Sequence, residues 1–448
     1  MNQASERPPV APKQREGGAP STARIVILVG VLCCAYMISQ FLRSSTGVIA
    51  PDLARELRLA PQSLGVLGGA FFFAFAASQI PVGLMLDRYG ARAATSLLML
   101  FAIAGSLLFA NAHSLFWLSI GRVLMGIGCS CLLMGPLMIY TRWFSRERFG
   151  TLSGIHIAAG TLGAITATAP LAWIALWIGW RGAFTGTAVL AAIMAMLVWL
   201  IARDAPPGQQ APHQLHEGAR ESLWQSLLGF GSVLRNPSLP HLLLLQFVGL
   251  GCAATLLGLW ASPYLHDVHG LDGPARGNVL LVMAACSAMG MLFWGQMDIR
   301  FDSRKKPVLL GAGISTVMLV MLTLLGAPSL ATVTAIFALM GFCNGYAAVA
   351  IAHGRAIFPD PLIGRGISLL NMGGMAGAGV MQYIAGVIIG QFAAPGTPAP
   401  VSAYRTLFGF LAAALVFALL VYSRVMDIKP GHTETHERKR MRSRHDRY

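Results

Sequence analysis

Long apolar runs separated by short polar stretches dominate this chain. A membrane-spanning helix needs about 20 mostly apolar residues. That rule picks out twelve segments, at 25–50, 62–86, 93–112, 115–141, 151–178, 183–202, 239–265, 277–297, 307–327, 330–353, 366–392 and 404–426. The pattern predicts an all-α membrane protein with twelve transmembrane helices. Pro81, Pro136 and Pro170 fall inside the segments, as does the run Gly373, Gly374, Gly377 and Gly379. Both residue types are frequent in spanning helices, where small side chains let neighbours approach closely. Residues 1–24 are polar and proline-rich and read as a disordered tail. They lack the apolar core and cleavage site of a signal peptide, so the first apolar run is helix one.

A polar linker, 204–238, divides the pattern into two six-helix halves, 25–203 and 239–426, followed by a basic tail, 427–448. The linker ends in an amphipathic stretch, Leu223 to Leu234, suited to the membrane surface. Landmarks recur across it. Gly83 answers Gly295 at 212 positions, Gly150 answers Gly366 at 216, and Arg181 answers Arg405 at 224. Six helices per half keep both halves in one orientation, which makes a parallel repeat. Such repeats hold a solute site between them near the bilayer midplane, so the duplication points to a transporter.

The charge of +15 gains meaning from where it lies. With alternate loops assigned to alternate sides, the side that holds both tails carries twenty-six of the 33 basic residues. The opposite side has only Arg55, Arg58, Arg181, Arg276 and Arg405. The positive-inside rule makes the richer side cytoplasmic. The expected location is a multi-pass cell membrane, the bacterial inner membrane, with both termini in the cytoplasm. The basic tail then reads as a topology signal and a contact for anionic lipids, and no nucleic-acid partner is expected. All seven cysteines lie in apolar segments and none forms a CxxC pair, so they read as packed thiols.

The loop after segment two runs Gly83-Leu-Met-Leu-Asp87-Arg88-Tyr-Gly90-Ala-Arg92. It resembles the G-x-x-x-D-R-x-G-[RK]-[RK] signature of the major facilitator superfamily, departing at Ala91. Arg122, Gly126 and Gly128 resemble a second motif of that family, R-x-x-x-G-x-G. The resemblance implies the major facilitator fold, two six-helix parallel repeats. It also implies that Gly83, Asp87, Arg88, Gly90 and Arg92 form a cytoplasmic gating loop. The second copy of the loop departs further, with Ile299 in the place of the acid and Asp298 one position early. The drug-antiporter signature G-P-x-x-G-G is absent from segment five, where Ala169-Pro170 is followed by Leu-Ala-Trp173.

Charges inside apolar segments are costly and usually functional. Arg43 lies about 27 Å along helix one, with Tyr36 and Gln40 on the same face. The stretch around it resembles the organophosphate branch of the family, where an arginine at this place holds an anionic substrate. That branch has a second arginine at the place of Ala254, so the resemblance implies an anion site with one arginine. Arg122, His156, Asn344, Asn371 and Gln382 complete the candidate solute-binding set, and Trp260 is a candidate interface anchor. All eighteen acids map to tails, loops or helix ends, which disfavours a cationic solute.

No phosphate-cradling loop, paired membrane carboxylates or metal-ligand cluster is present. The chain is therefore not expected to be an enzyme, to be driven by ATP, or to hold a metal or cofactor. The expected activity is secondary transport of a small organic anion by a monomer, with protons or a counter-ion as the coupled species. The alternatives are a proton-coupled drug exporter and a membrane solute sensor. Single cysteines in either tail or the linker, on a background without the native seven, are expected to resist impermeant thiol reagents in intact cells. Labelling from outside would reverse the assigned orientation.

Overall fold

The computed structural model describes residues 22–206, 231, 233–359 and 362–430; most of both tails and of the linker, including most of its amphipathic stretch, lies outside the described residues. Every element within them is helical. Eleven stretches are long and apolar enough to cross a bilayer. The longest of these, Pro61–Ala110, has 50 residues and contains two spans joined at Gly90, where φ is 81°. The twelve spans are α1 (Thr22–Leu57), α2 (61–89), α3 (91–110), α4 (Leu115–Trp143), α5 (Glu147–Thr166, resuming over 169–178), α6 (180–201), α7 (Leu239–His269), α8 (Gly273–Trp294), α9 (Lys305–Leu325), α10 (Leu330–Ala356), α11 (Ile363–Gly390) and α12 (Val401–Tyr422). Most run past the apolar segments because their polar ends stay helical beyond the hydrocarbon. Pro240 and Pro274 open α7 and α8 at a position where no N–H is needed, and Asp272 caps α8 by accepting from the Ala275 N–H at 2.9 Å.

The repeat is written into the backbone. Left-handed residues occur in matched pairs 212 positions apart: Arg58 (φ 48°) with Gly270 (φ 66°), and Gly90 (φ 81°) with Asp302 (φ 45°). A carboxylate from the end of each half sits on the start of an earlier helix. Asp204, after α6, accepts from the Arg92 N–H of α3 at 2.9 Å. Asp427, after α12, accepts from the N–H groups of Arg304 and Lys305 at 3.1 and 3.2 Å and from the Ser303 hydroxyl at 2.6 Å. Both acids meet the positive end of a helix dipole. Burial alone would raise the Asp427 carboxyl, but these hydrogen bonds hold it below the usual carboxylate range.

The far ends are fastened the same way twice. Glu56, at the end of α1, accepts from Trp180 Nε1 at 2.6 Å and from Arg181, which also donates to the carbonyls of Ala110 and Ala112. Asp267, at the end of α7, accepts from the Tyr404 hydroxyl at 2.7 Å, and Arg405 donates to the Thr323 carbonyl. Glu56 and Asp267 are 211 positions apart.

The halves meet on the face opposite the termini, through glycine. A Cβ on Gly47 (α1) would lie 2.9 Å from the Gly258 carbonyl of α7, its counterpart 211 positions on. Gly65 (α2) lies against Gly386 (α11), and Gly277 (α8) against Ala169 (α5); added Cβ atoms would come within 3.0 and 2.8 Å of the opposing Cα atoms. Gly277 is the repeat of Gly65, and Gly386 that of Ala169, so one contact is made twice around the Gly47–Gly258 centre. An ion pair from Arg276 to Asp52, at 3.4 Å, joins the halves beside it. At the other end Gly83 and Gly364 have nothing within 4 Å. Leu256–Trp260 forms a π-helical turn within α7 at the centre of this contact, an insertion frequent at functional sites.

Leucine at both Gly65 and Gly277 is expected to wedge this face open. Spin labels on His113 and Ser329, exposed on the outer ends of the two halves, are expected to show a longer distance in that variant. An unchanged distance would mean that the glycine contacts do not set closure.

Candidate functional site

Tyr36, Gln40, Arg43 and Gly47 follow one another at steps of four, three and four, so they form a single stripe along α1. Gly47 touches α7, which turns its end of the stripe toward the seam between the halves, while Tyr36 at the other end packs on α5. Arg43 therefore sits one turn beneath the glycine contact, about 6 Å toward the termini. Its guanidinium lies over the Phe75 ring at 5.1 Å. Arg43 Nε is buried without a hydrogen-bond partner, and so is Gln40 Oε1.

Arg122 has the same sequence signal and a different fate. It is 1% exposed, and donates from Nε to the Leu67 carbonyl at 3.2 Å and from Nη1 to the Leu42 carbonyl at 2.8 Å. The Phe71 ring lies 4.6 Å from its guanidinium. Gly126, one turn on, presses against the Phe71 carbonyl, and Gly128 against the backbone of Ala102. The arginine and its glycines together bolt α4 to α1, α2 and α3.

His156 is fully buried and stacked on Tyr36, with centroids 4.7 Å apart. Its Nε2 lies 3.2 Å from the Leu132 carbonyl, and a carbonyl only accepts, so Nε2 carries the proton. Nδ1 then accepts from the Tyr140 hydroxyl, also at 3.2 Å. Gly160 lies flat against the Tyr36 ring. This cluster joins α1, α4 and α5 inside one half.

From the other half, Gln382 reaches the seam. Its Nε2 donates to the Ala254 carbonyl at 2.8 Å, while Oε1 faces Gly68 of α2 and is buried without a hydrogen-bond partner. Asn371 lies on the same stripe of α11, eleven residues nearer the termini. Asn344 is held elsewhere, beside a cavity of about 40 Å³ lined by α7, α8, α9, α10 and α12, with Ser287, Ser315 and Tyr346. The structure thus brings Gln40, Arg43 and Gln382 to the seam, keeps Arg122 and His156 within the first half, and encloses Asn344 within the second. Trp260 is 2% exposed and lies in the π turn beside the seam, so the expectation of an interface anchor is corrected.

In the loop, Gly83, Asp87 and Arg88 occupy the last turns of α2, and Arg88 lies over Tyr89 at 5.5 Å. Gly90 makes the turn into α3, with Asp204 packed where a Cβ would stand. Arg92 donates from Nε to the Trp199 carbonyl at 2.8 Å and stacks on that ring at 4.5 Å. Asp204 and the Arg276–Asp52 pair escaped the sequence reading, because their partners stand 112 and 224 positions away. The glycines of the seam were legible in principle, since Gly47 with Gly258 and Gly65 with Gly277 share the spacing of the repeat. Among the described residues, no group of three or more His, Cys, Asp or Glu side chains could hold a metal ion.

The chain matches the Major Facilitator Superfamily over residues 32–297 and 275–445. It belongs to that family. It is 27% identical to a probable L-galactonate transporter of Escherichia coli over 272 residues, which cover 59% of each chain. Over 198 residues, 41% of this chain and 39% of the relative, it is 28% identical to a nitrate/nitrite transporter of Nostoc punctiforme. These matches span well under two thirds of either relative. A bacterial homologue of the human lysosomal transporter Spinster, solved inward-facing and unoccupied, superposes with a TM-score of 0.74 at 20% identity, covering 90% of this chain and 97% of that one.

Arg43 and Arg122 are expected to differ sharply in what they do for stability. Arg122→Met removes the two charged hydrogen bonds that tie α4 to α1 and α2 and is expected to cost on the order of 2–4 kcal/mol. Arg43→Met removes a cation whose Nε is buried without a hydrogen-bond partner and is expected to leave stability unchanged or raise it. Thermal unfolding of the purified variants checks both, and equal losses would assign both arginines to packing.

Proposed function

We propose that this chain is a secondary active transporter that carries a small organic anion by alternating access between 25–203 and 239–426, joined by the 204–238 linker. The observation that carries the proposal is the Arg43 guanidinium, with Nε buried and unpartnered, on the stripe that faces the seam and one turn beneath its closure. An arginine keeps its charge in a protein, and an unpaired cation in this setting is costly. An anion that accepts from the planar fork removes that cost and favours closure around itself. Gln40, Tyr36 and Gln382 lie on the stripes that would border such a ligand. In this proposal Arg122 and His156 act at one remove, by fixing the backbone that carries Arg43. The relatives support the reading: one is named for L-galactonate and the other for nitrate and nitrite, and these solutes share a negative charge.

The excess of basic residues on the terminal side supports a cytoplasmic location for both termini, so the glycine contact would close the outer face and the seam would open inward. The loop of Gly83, Asp87, Arg88, Gly90 and Arg92 would act when that opening closes, with protons or a counter-ion as the coupled species, in a monomer.

Arg43→Lys keeps the charge and loses the fork. It is expected to express normally and to weaken anion binding at least tenfold, measured by uptake into proteoliposomes and by titration of the purified protein. Normal transport by this variant, or transport of lipophilic cations by the wild type, would overturn the anion reading.

A further inference from the structure

The two walls of the seam differ in charge. On the first half Arg43 stands within an apolar segment, on the stripe that leads to the Gly47 contact, while Arg122 is turned inward onto the carbonyls of Leu42 and Leu67. On the second half every Asp, Glu, Lys and Arg of α7–α12 lies near a helix end: Asp267, Arg276, the Lys305–Lys306 pair, Arg355, Arg365 and Arg405. Gly47 and Gly258 are repeat mates in direct contact, so the mate of Arg43, four residues before Gly47, is Ala254, four residues before Gly258. The Ala254 carbonyl is taken by Gln382 Nε2. What this wall offers is neutral: Gln382 Oε1 and the Thr255 hydroxyl, each buried without a hydrogen-bond partner.

We infer that the solute carries one negative charge, at the end held by Arg43, and an uncharged, hydroxyl-bearing remainder that meets Gln382 and Thr255; this rests on the anion reading above. A carboxylate at the second end would be buried with no cation in reach, which is unfavourable. A hydroxyl both donates and accepts. It therefore suits the Gln382 oxygen, whose orientation the Ala254 bond fixes, and the Gln40 amide in either orientation. Ala254 is then the residue that sets the charge of the solute.

Sorbitol, gluconate and glucarate share a six-carbon hydroxylated skeleton and carry no, one and two carboxylates, so their binding to the full chain in detergent separates the possibilities. Gluconate is expected to bind at least tenfold more tightly than the other two. Ala254→Arg is expected to shift the gluconate-to-glucarate ratio at least tenfold toward glucarate, with Ala254→Lys as the second variant if the first fails to fold. Glucarate binding as tightly as gluconate to the wild type would overturn the single-charge inference and leave the anion reading standing. Sorbitol binding as tightly as gluconate would overturn both. Silence toward all three would overturn this inference alone, the anion reading then resting on the uptake result for Arg43→Lys.

Discussion

The structure turns on a contact between two backbones. Where Gly47 meets Gly258, helices α1 and α7 approach so closely that a single methyl group would not fit. Lipid tails are as apolar as leucine, so inside a bilayer no hydrophobic force drives two helices together. Closure must come from close van der Waals packing and a few polar contacts, and glycine is the residue that permits both. The flanking pairs, Gly65 with Gly386 and Gly277 with Ala169, place two more such contacts symmetrically about the centre. An interface of this kind is well fitted but not deeply sunk in energy, which suits a joint that must open.

The two intramembrane arginines show how one sequence signal splits into two physical roles. Arg122 donates to the carbonyls of Leu42 and Leu67. Arg43 has the Phe75 face beside it and no such acceptor for Nε. A cation bonded to backbone carbonyls holds helices in place, while one without such acceptors is available to a ligand. The difference lies in the distance to other helices, and neither residue's own neighbours along the chain reveal it.

The repeat explains why so much of the backbone occurs in duplicate. Caps from Asp204 and Asp427, the fastenings of Arg181 and Arg405, and the paired left-handed residues all serve the same need, to hold six helices as one body. Departures from the repeat gather at the seam. Arg43 has Ala254 as its repeat mate, and the regular α-helix around Gly47 meets a π turn around Gly258. Scaffold functions tolerate symmetry, but an asymmetric solute requires walls that differ.

Hydrophobic length alone determined the twelve helices, because a bilayer leaves a chain few other ways to satisfy its backbone. Spacing determined the duplication, since Arg181 and Arg405 stand before corresponding helices. The stripe of Tyr36, Gln40 and Arg43 was also legible, as helical periodicity is a local property. Tertiary structure alone decided which face of that stripe met the other half, that Arg122 turned inward, and that His156 was held between Leu132 and Tyr140. It also decided that Trp260 sat buried beside the seam, and that Arg276, counted among the outer loops, reached Asp52 across 224 positions. Helical periodicity fixes which residues share a face. What that face meets depends on the crossing of helices distant in sequence, and no local pattern encodes that crossing.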